Sequence, residues 1–152
     1  MVPSLDIAQY LYSACRARNL SINNTKMQKL LYIAYGFGLY SSGSELFDEE
    51  PKYFPHGPVF TDVLDAYESI KLRHEPTDNV DLPKEAKKIL DYTLEHFGKF
   101  NAKSLSDWSH REGSAWYNTK TFIPNVKYAD KIPIPFIKEE FLTFFSKSTN
   151  SF

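Results

Sequence analysis

The sequence predicts a mainly α protein: a compact, bundle-like globule of about six or seven helices around one central apolar helix, with at most a small two-stranded β-ladder. Three observations carry this expectation. Apolar residues recur at helical spacing in one block after another. The segment KMQKLLYIAYGFGLY (residues 26–40) carries no charge from Leu30 to Tyr40 and is apolar on two faces, as a helix buried between neighbours must be. No strand-length run alternates with the helices, which a doubly wound sheet would require.

Each element can be justified in order. Leu5, Ala8, Leu11, Tyr12 and Cys15 set the inner face of a first helix that starts after Pro3, with Ser4 as its cap, and fades near Asn19. Asn23 and Asn24 offer a cap for the central helix, which runs to about Ser42 and stops at Gly43. Within it Met27, Leu30, Leu31, Ala34 and Gly38 form one stripe, and Ile33, Phe37 and Tyr40 another. Gly36 and Gly38 each cost about 1 kcal/mol relative to alanine inside a helix, so their presence predicts close packing of another element.

Pro51, Pro55 and Pro58 then forbid a long helix, and Lys52 to Phe54 reads as a short strand. Gly57-Pro58 is expected to turn into a third helix, with Pro58 at its first position and Val59, Phe60, Val63, Leu64, Tyr67 and Ile70 inward. A polar loop covers 71–81. Asp81 and Pro83 open a fourth helix with Ala86, Ile89, Leu90, Thr93, Leu94 and Phe97 inward; Lys87 and Asp91 suit its exposed face, and Gly98 ends it. Asn101 caps a fifth helix through about His110, and Ser114 caps a short sixth over 115–118. Phe122 to Pro135 reads as extended, with 131–134 able to pair with 52–54. Pro135 begins a last helix bearing Phe136, Ile137, Phe141, Phe144 and Phe145, followed by a frayed tail over 146–152. The expected core includes Leu30, Leu31, Ala34, Phe37, Leu64, Leu90 and Trp108.

Composition narrows the function. A membrane span needs ~20 mostly apolar residues, and the longest run stops before Ser41. Met1 to Asn19 lacks the basic head and apolar run of a signal peptide, so a soluble, cytoplasmic protein is expected. One cysteine, Cys15, precludes an intrachain disulfide and a cysteine metal cluster. A net charge of -1, with acids and bases interspersed, gives no electrostatic reason to expect nucleic acid. Twelve Phe, ten Tyr and two Trp are many for a core of this size to hide: any single one is expected in the core or at its amphipathic boundary, while exposed Tyr and Trp suit an interface.

The densest polar block is SLSDWSHREGSAW, residues 104–116. Ser106 and His110, four apart, could meet on one helix face and raise the idea of a small hydrolase. Asp107 is better placed to pair with Arg111 than to orient His110, and no G-x-S-x-G elbow is present. The four histidines, His56, His74, His96 and His110, lie far apart with no H-E-x-x-H pairing, and no glycine pattern suits a phosphate loop. Neither a catalytic residue, a metal nor a cofactor is expected. One feature breaks a rule: Lys26 and Lys29 occupy the first turns of a helix, where the macrodipole disfavours positive charge by about 0.3–1 kcal/mol. They are expected on the surface, solvated or paired with Asp48, Glu49 or Glu50, or else forming a cationic edge that meets an acidic group on a partner.

Three blocks together resemble one family: TKMQKLLYIAYG (25–36), LFDEE followed by FPHGPV (46–59), and LSDWSHREGSAW (105–116). In this order they resemble the Panacea domain, also called the SocA-type antitoxin or phage-associated GepA-like domain, over nearly the whole chain. Met27 stands where leucine is common, and Ala115 where proline often precedes the tryptophan. The resemblance implies a bacterial or phage antitoxin without catalytic activity. Its partner would be a cognate toxin protein, neutralised by direct binding or by delivery to an ATP-dependent protease. Lys26, Lys29, Tyr53, His56, Gly57, Pro58 and His110 are the expected partner-binding or motif surface. The alternatives are a prophage-encoded DNA-binding regulator, which would need a basic recognition helix, and the Ser/His hydrolase.

Overall fold

A computed structural model describes residues 1–73 and 75–147. Seven α-helices and one two-stranded sheet are found among the described residues. They are α1 (Ser4–Ala17), α2 (Asn24–Ser42), β1 (Lys52–Phe54), β2 (Gly57–Val59), α3 (Thr61–Arg73), α4 (Lys84–Phe97), α5 (Ala102–Ser109), α6 (Ala115–Phe122) and α7 (Ile134–Lys147), with a 3-10 turn at Thr77–Asn79. The mainly α architecture is thus as the sequence predicts.

Helix α2 is the axis of the fold. The Asn23 side chain caps it by accepting the Lys26 amide at 2.8 Å, and Gly43 stops it at φ 75°. Every residue from Lys26 to Leu39 is buried, and α1, α3, α4, α5 and α7 all pack against it. Gly36 explains how α7 comes so close: a β-carbon there would clash with three atoms of the Phe141 ring. Around this crossing Phe37 meets Tyr92, Phe97, Phe141 and Phe145 with centroids 5.2 to 6.0 Å apart. The tilted and edge-on arrangements suit the ring quadrupoles. A second cluster joins Tyr35, Phe47 and Phe60.

Several local expectations are corrected. Ser4 is the first residue of α1 rather than its cap: Pro3 precedes the helix, and the Ser4 amide donates to Asp48 Oδ1 at 2.9 Å. Gly57-Pro58 does not open α3. It forms β2, antiparallel to β1 with Lys52 opposite Val59, Tyr53 opposite Pro58 and Phe54 opposite Gly57. Pro55 and His56 are the exposed tip of this hairpin. The proline is tolerated because the strand is three residues long and at a sheet edge. The expected pairing of 52–54 with 131–134 reduces to one antiparallel bridge, Lys52 to Lys131.

Leu64 is 40% exposed and lies outside the core, because α3 turns only Val63, Tyr67 and Ile70 fully inward. Trp108 is half-buried. Asp91 is held not by Lys87 but by the Tyr10 hydroxyl at 2.8 Å and Arg18 at 3.4 Å. Asn101 and Ser114 cap α5 and α6 as expected, though α6 continues four residues further, to Phe122. Ser146 and Lys147 belong to α7; the rest of the expected frayed tail, 148–152, lies outside the described residues. Among the described residues no helix is long and apolar enough to cross a membrane.

Candidate functional site

The two lysines that offend the helix dipole are not on the surface. Lys26 and Lys29 are each 3% exposed, which corrects both the solvated-edge and the acid-paired expectations. Their stems run out from the first turns of α2 and their ammonium groups reach backbone carbonyls of other segments. Lys26 Nζ donates to Gly98 O at 2.6 Å, where α4 ends. A cation at a helix C-terminus is where the dipole favours it, so the charge misplaced on α2 is well placed for α4. Lys29 Nζ donates to His56 O at 2.8 Å and Pro58 O at 3.4 Å, gripping the hairpin on both sides of Gly57. Between them Gln28 treats Phe60 as a strand neighbour would: Nε2 donates to Phe60 O at 3.2 Å, and Oε1 accepts the Phe60 amide at 2.7 Å. Three polar side chains within about one turn thus fasten two stretches of backbone, the hairpin through Phe60 and the end of α4, to the central helix. Burial lowers the pKa of Lys26, and that of Lys29 to about 8.

Gly57 is where the hairpin meets α5. Its φ is 116°, and a β-carbon there would lie 2.7 Å from Lys29 Nζ, 2.9 Å from Ser109 Oγ and 3.1 Å from His110 Nε2. Only glycine meets both demands, the left-handed backbone and the absence of a side chain. The His110 ring lies against Trp116, with centroids 4.4 Å apart, and Trp116 Nε1 donates to Phe54 O at 2.7 Å. Burial, helped by the nearby Lys29 charge and opposed by the His56 carbonyl, lowers the imidazole pKa. Tyr53 stacks on the other side of the site against Trp116, at 5.5 Å.

The 105–116 block is held from behind by a residue that sequence reasoning missed. Glu140, on α7, is 2% exposed. Its Oε1 accepts from the Tyr32 hydroxyl at 2.5 Å and the Ala115 amide at 2.9 Å, and its Oε2 from Arg111 Nη1 at 2.7 Å. Ala115 is the first residue of α6, so the carboxylate also sits at the positive end of that helix dipole. Arg111 lies over the Trp108 ring at 3.8 Å and donates to the Trp108 carbonyl. The sequence did hold a signal: an acid next to Phe141 and three residues after Ile137, on the stripe that α7 buries.

Hydrolase geometry is not assembled. Asp107 is bound by Lys103 at 2.9 Å rather than by Arg111, and His110 Nε2 faces Gly57 and Lys29. Among the described residues no group of three His, Cys, Asp or Glu could hold a metal ion; His74 lies outside them. Two grooves of about 320 and 330 Å³ have largely apolar linings, Phe37, Tyr40, Ile89, Tyr92 and Phe145 with Ser41, Glu85 and Lys88 in one, and Phe97, Phe100, Leu105 and Trp108 with Ser104 in the other. In the first, the charged groups Glu85 and Lys88 pair with each other at 3.6 Å; the second has Ser104 as its one polar lining residue.

Of the seven residues expected on a partner surface, Lys26, Lys29, Tyr53, Gly57 and Pro58 are buried, His110 is half-buried and His56 is exposed. The structure brings Lys29, Tyr53, His56, Gly57, Pro58 and His110 into one neighbourhood and directs Lys26 to the end of α4 instead.

A small helical domain whose central helix clamps a hairpin and a tryptophan-bearing block defines the class. The chain belongs to the SocA-like antitoxin family, the Panacea domain, whose family model matches residues 27–117. Comparisons with curated proteins and with solved structures give no match. The matched span contains Gln28, Lys29, the hairpin and the block from Leu105 to Trp116, and leaves out Lys26 and Glu140.

Proposed function

We propose that this protein is the antitoxin of a bacterial or phage toxin–antitoxin pair and neutralises its cognate toxin in the cytoplasm by direct protein–protein binding. The observation that carries the reading is the family match over 27–117, which coincides with the clamped hairpin and the block packed on it. In this reading the buried motif residues do not touch the toxin. Lys29, Gly57 and Pro58 fix the shape of the hairpin, and the exposed His56 tip with the adjoining aromatic stack meets the partner. Ser106 and His110 perform no chemistry.

The test is co-expression with the product of the adjacent gene. Growth arrest by that product alone, relieved by this protein and equally by its Ser106→Ala variant, supports a non-catalytic antitoxin. Rescue that fails with folded Ser106→Ala would support the hydrolase instead. Toxin half-life in the rescued cells separates the two routes: an unchanged half-life goes with direct binding, and a shortened one with delivery to an ATP-dependent protease. Operator binding by this protein without any toxin would support the regulator.

A further inference from the structure

The fold gathers carboxylates in one place. Glu45, Asp48, Glu49 and Glu50 line a notch of about 250 Å³ together with Asp62, from the first turn of α3. The whole chain is nearly neutral, with a net charge of -1, so this concentration is local. Two lysines reach the same notch and do not neutralise it. Lys131 pairs with Glu50 at 2.9 Å, whereas Lys52 Nζ donates to the Thr61 hydroxyl at 3.1 Å. Glu45, Asp48, Glu49 and Asp62 thus have no ion-pair partner among the described residues.

Three of these four are held in place. The Tyr35 hydroxyl donates to Glu45 Oε1 at 3.1 Å, the Ser4 amide to Asp48 Oδ1 at 2.9 Å, and the Asp62 amide to Glu49 Oε2 at 2.7 Å. Like charges fixed side by side repel, and an opposite charge among them relieves it. Glu49 is the extreme case. It is 8% exposed, and its Oε1 is buried without a hydrogen-bond partner among the described residues. A buried carboxylate oxygen in that state calls for a donor from outside. Burial, with the Asp62 charge adding to it, raises the Glu49 pKa; the Asp62 amide, the nearby Ser4 hydroxyl and Lys52 oppose the rise. Lys52 also opens β1, so the notch lies at the base of the hairpin whose tip meets the partner, about 10 Å along a three-residue strand.

We propose that this notch receives an arginine or lysine side chain of the toxin, drawn in by Glu49 on the floor and by Asp48 and Asp62 at the mouth. This deepens the antitoxin reading and rests on it. Charge sets the class of occupant, since the phosphates of a nucleic acid would be repelled. The arrangement does not suit a metal ion: among the described residues no group of three His, Cys, Asp or Glu could hold one. A cationic side chain, by contrast, carries several donors and can serve oxygens that do not converge on a point.

The experiment measures binding kinetics of the purified product of the adjacent gene to the full chain, to D48N/D62N, to E49Q and to E112Q/E139Q. The amides keep the shape of the acids and an acceptor oxygen for each hydrogen bond above. Asp48 and Asp62 are exposed, as are Glu112 and Glu139, which lie outside the notch, and thermal melts check that every variant remains folded. D48N/D62N is expected to slow association about tenfold at low salt, with the loss shrinking at high salt. E49Q is expected to speed dissociation about tenfold or more. E112Q/E139Q, which removes the same charge elsewhere, should bind as wild type. Wild-type kinetics in D48N/D62N, or an equal loss in E112Q/E139Q, overturn the notch while leaving the antitoxin reading intact. No binding by the unaltered chain overturns that reading and the toxin as occupant with it. A thermal midpoint raised by calcium in the unaltered chain, and not in D48N/D62N, would assign the notch to a metal ion instead.

Discussion

Replacing Lys29 with methionine keeps an unbranched apolar stem of similar length and removes the charge and its donors. Two effects oppose each other. The carbonyls of His56 and Pro58 lose the ammonium that reaches them, which costs roughly 1–3 kcal/mol at the buried Pro58 acceptor and less at His56 on the exposed tip. Against this, the variant no longer buries a cation. Burial takes the Lys29 pKa from 10.5 to about 8, a shift that corresponds to about 3 kcal/mol at pH 7. The two nearly cancel, so Lys29→Met is expected to change stability little at neutral pH. Its signature is the pH dependence. Between about pH 8 and 10.5 the unfolded chain still holds a proton that folded Lys29 has given up, so stability rises with pH through that window. The wild type should therefore gain about 2 kcal/mol on the variant from pH 7 to 9.5. Cys15 and the buried tyrosines, whose raised pKa values act in the opposite direction, are common to both chains and cancel in the difference. Urea unfolding followed by tryptophan fluorescence, at a series of pH values for both proteins, measures that difference. A difference that stays flat from pH 7 to 9.5 would show that Lys29 is not a desolvated cation.

Glu140→Ala should cost about 3–5 kcal/mol, because it leaves Arg111, the Tyr32 hydroxyl and the Ala115 amide without their acceptor; a lowered thermal midpoint checks it, and a loss under 1 kcal/mol would show the network to be dispensable. Gly57→Ala forces a β-carbon into the space between Lys29 and Ser109 at a φ of 116°, and should cost about 1–3 kcal/mol and weaken toxin neutralisation. An unchanged melting temperature together with full growth rescue would count against any role for the hairpin's shape.

What was legible in the sequence was the part governed by local rules and by burial. The period of α2, its Asn23 cap, its Gly43 stop and the caps at Asn101 and Ser114 follow from patterns within a few residues, and all are found as expected. So is the meaning of Gly36, since a glycine in an apolar helix has few reasons to be there other than a neighbour's approach. The hairpin was half legible: proline spacing gave β1, but the pairing of Pro58 with Tyr53 depends on Lys29 holding both sides of the turn from a helix 29 residues earlier. The lysines mark the limit most clearly. Sequence alone showed that positive charge at the start of α2 was out of place, and the ordinary remedy for a misplaced charge is water. Tertiary structure decided otherwise, bringing the C-terminal end of α4 and two hairpin carbonyls within reach of those ammonium groups. Glu140 is the converse case: it takes its meaning from Tyr32, Arg111 and Ala115, which only the packing of α2, α6 and α7 gathers around it. Caps and stripes are read within one element, but a buried charge is explained by its partners, and those are chosen by the fold.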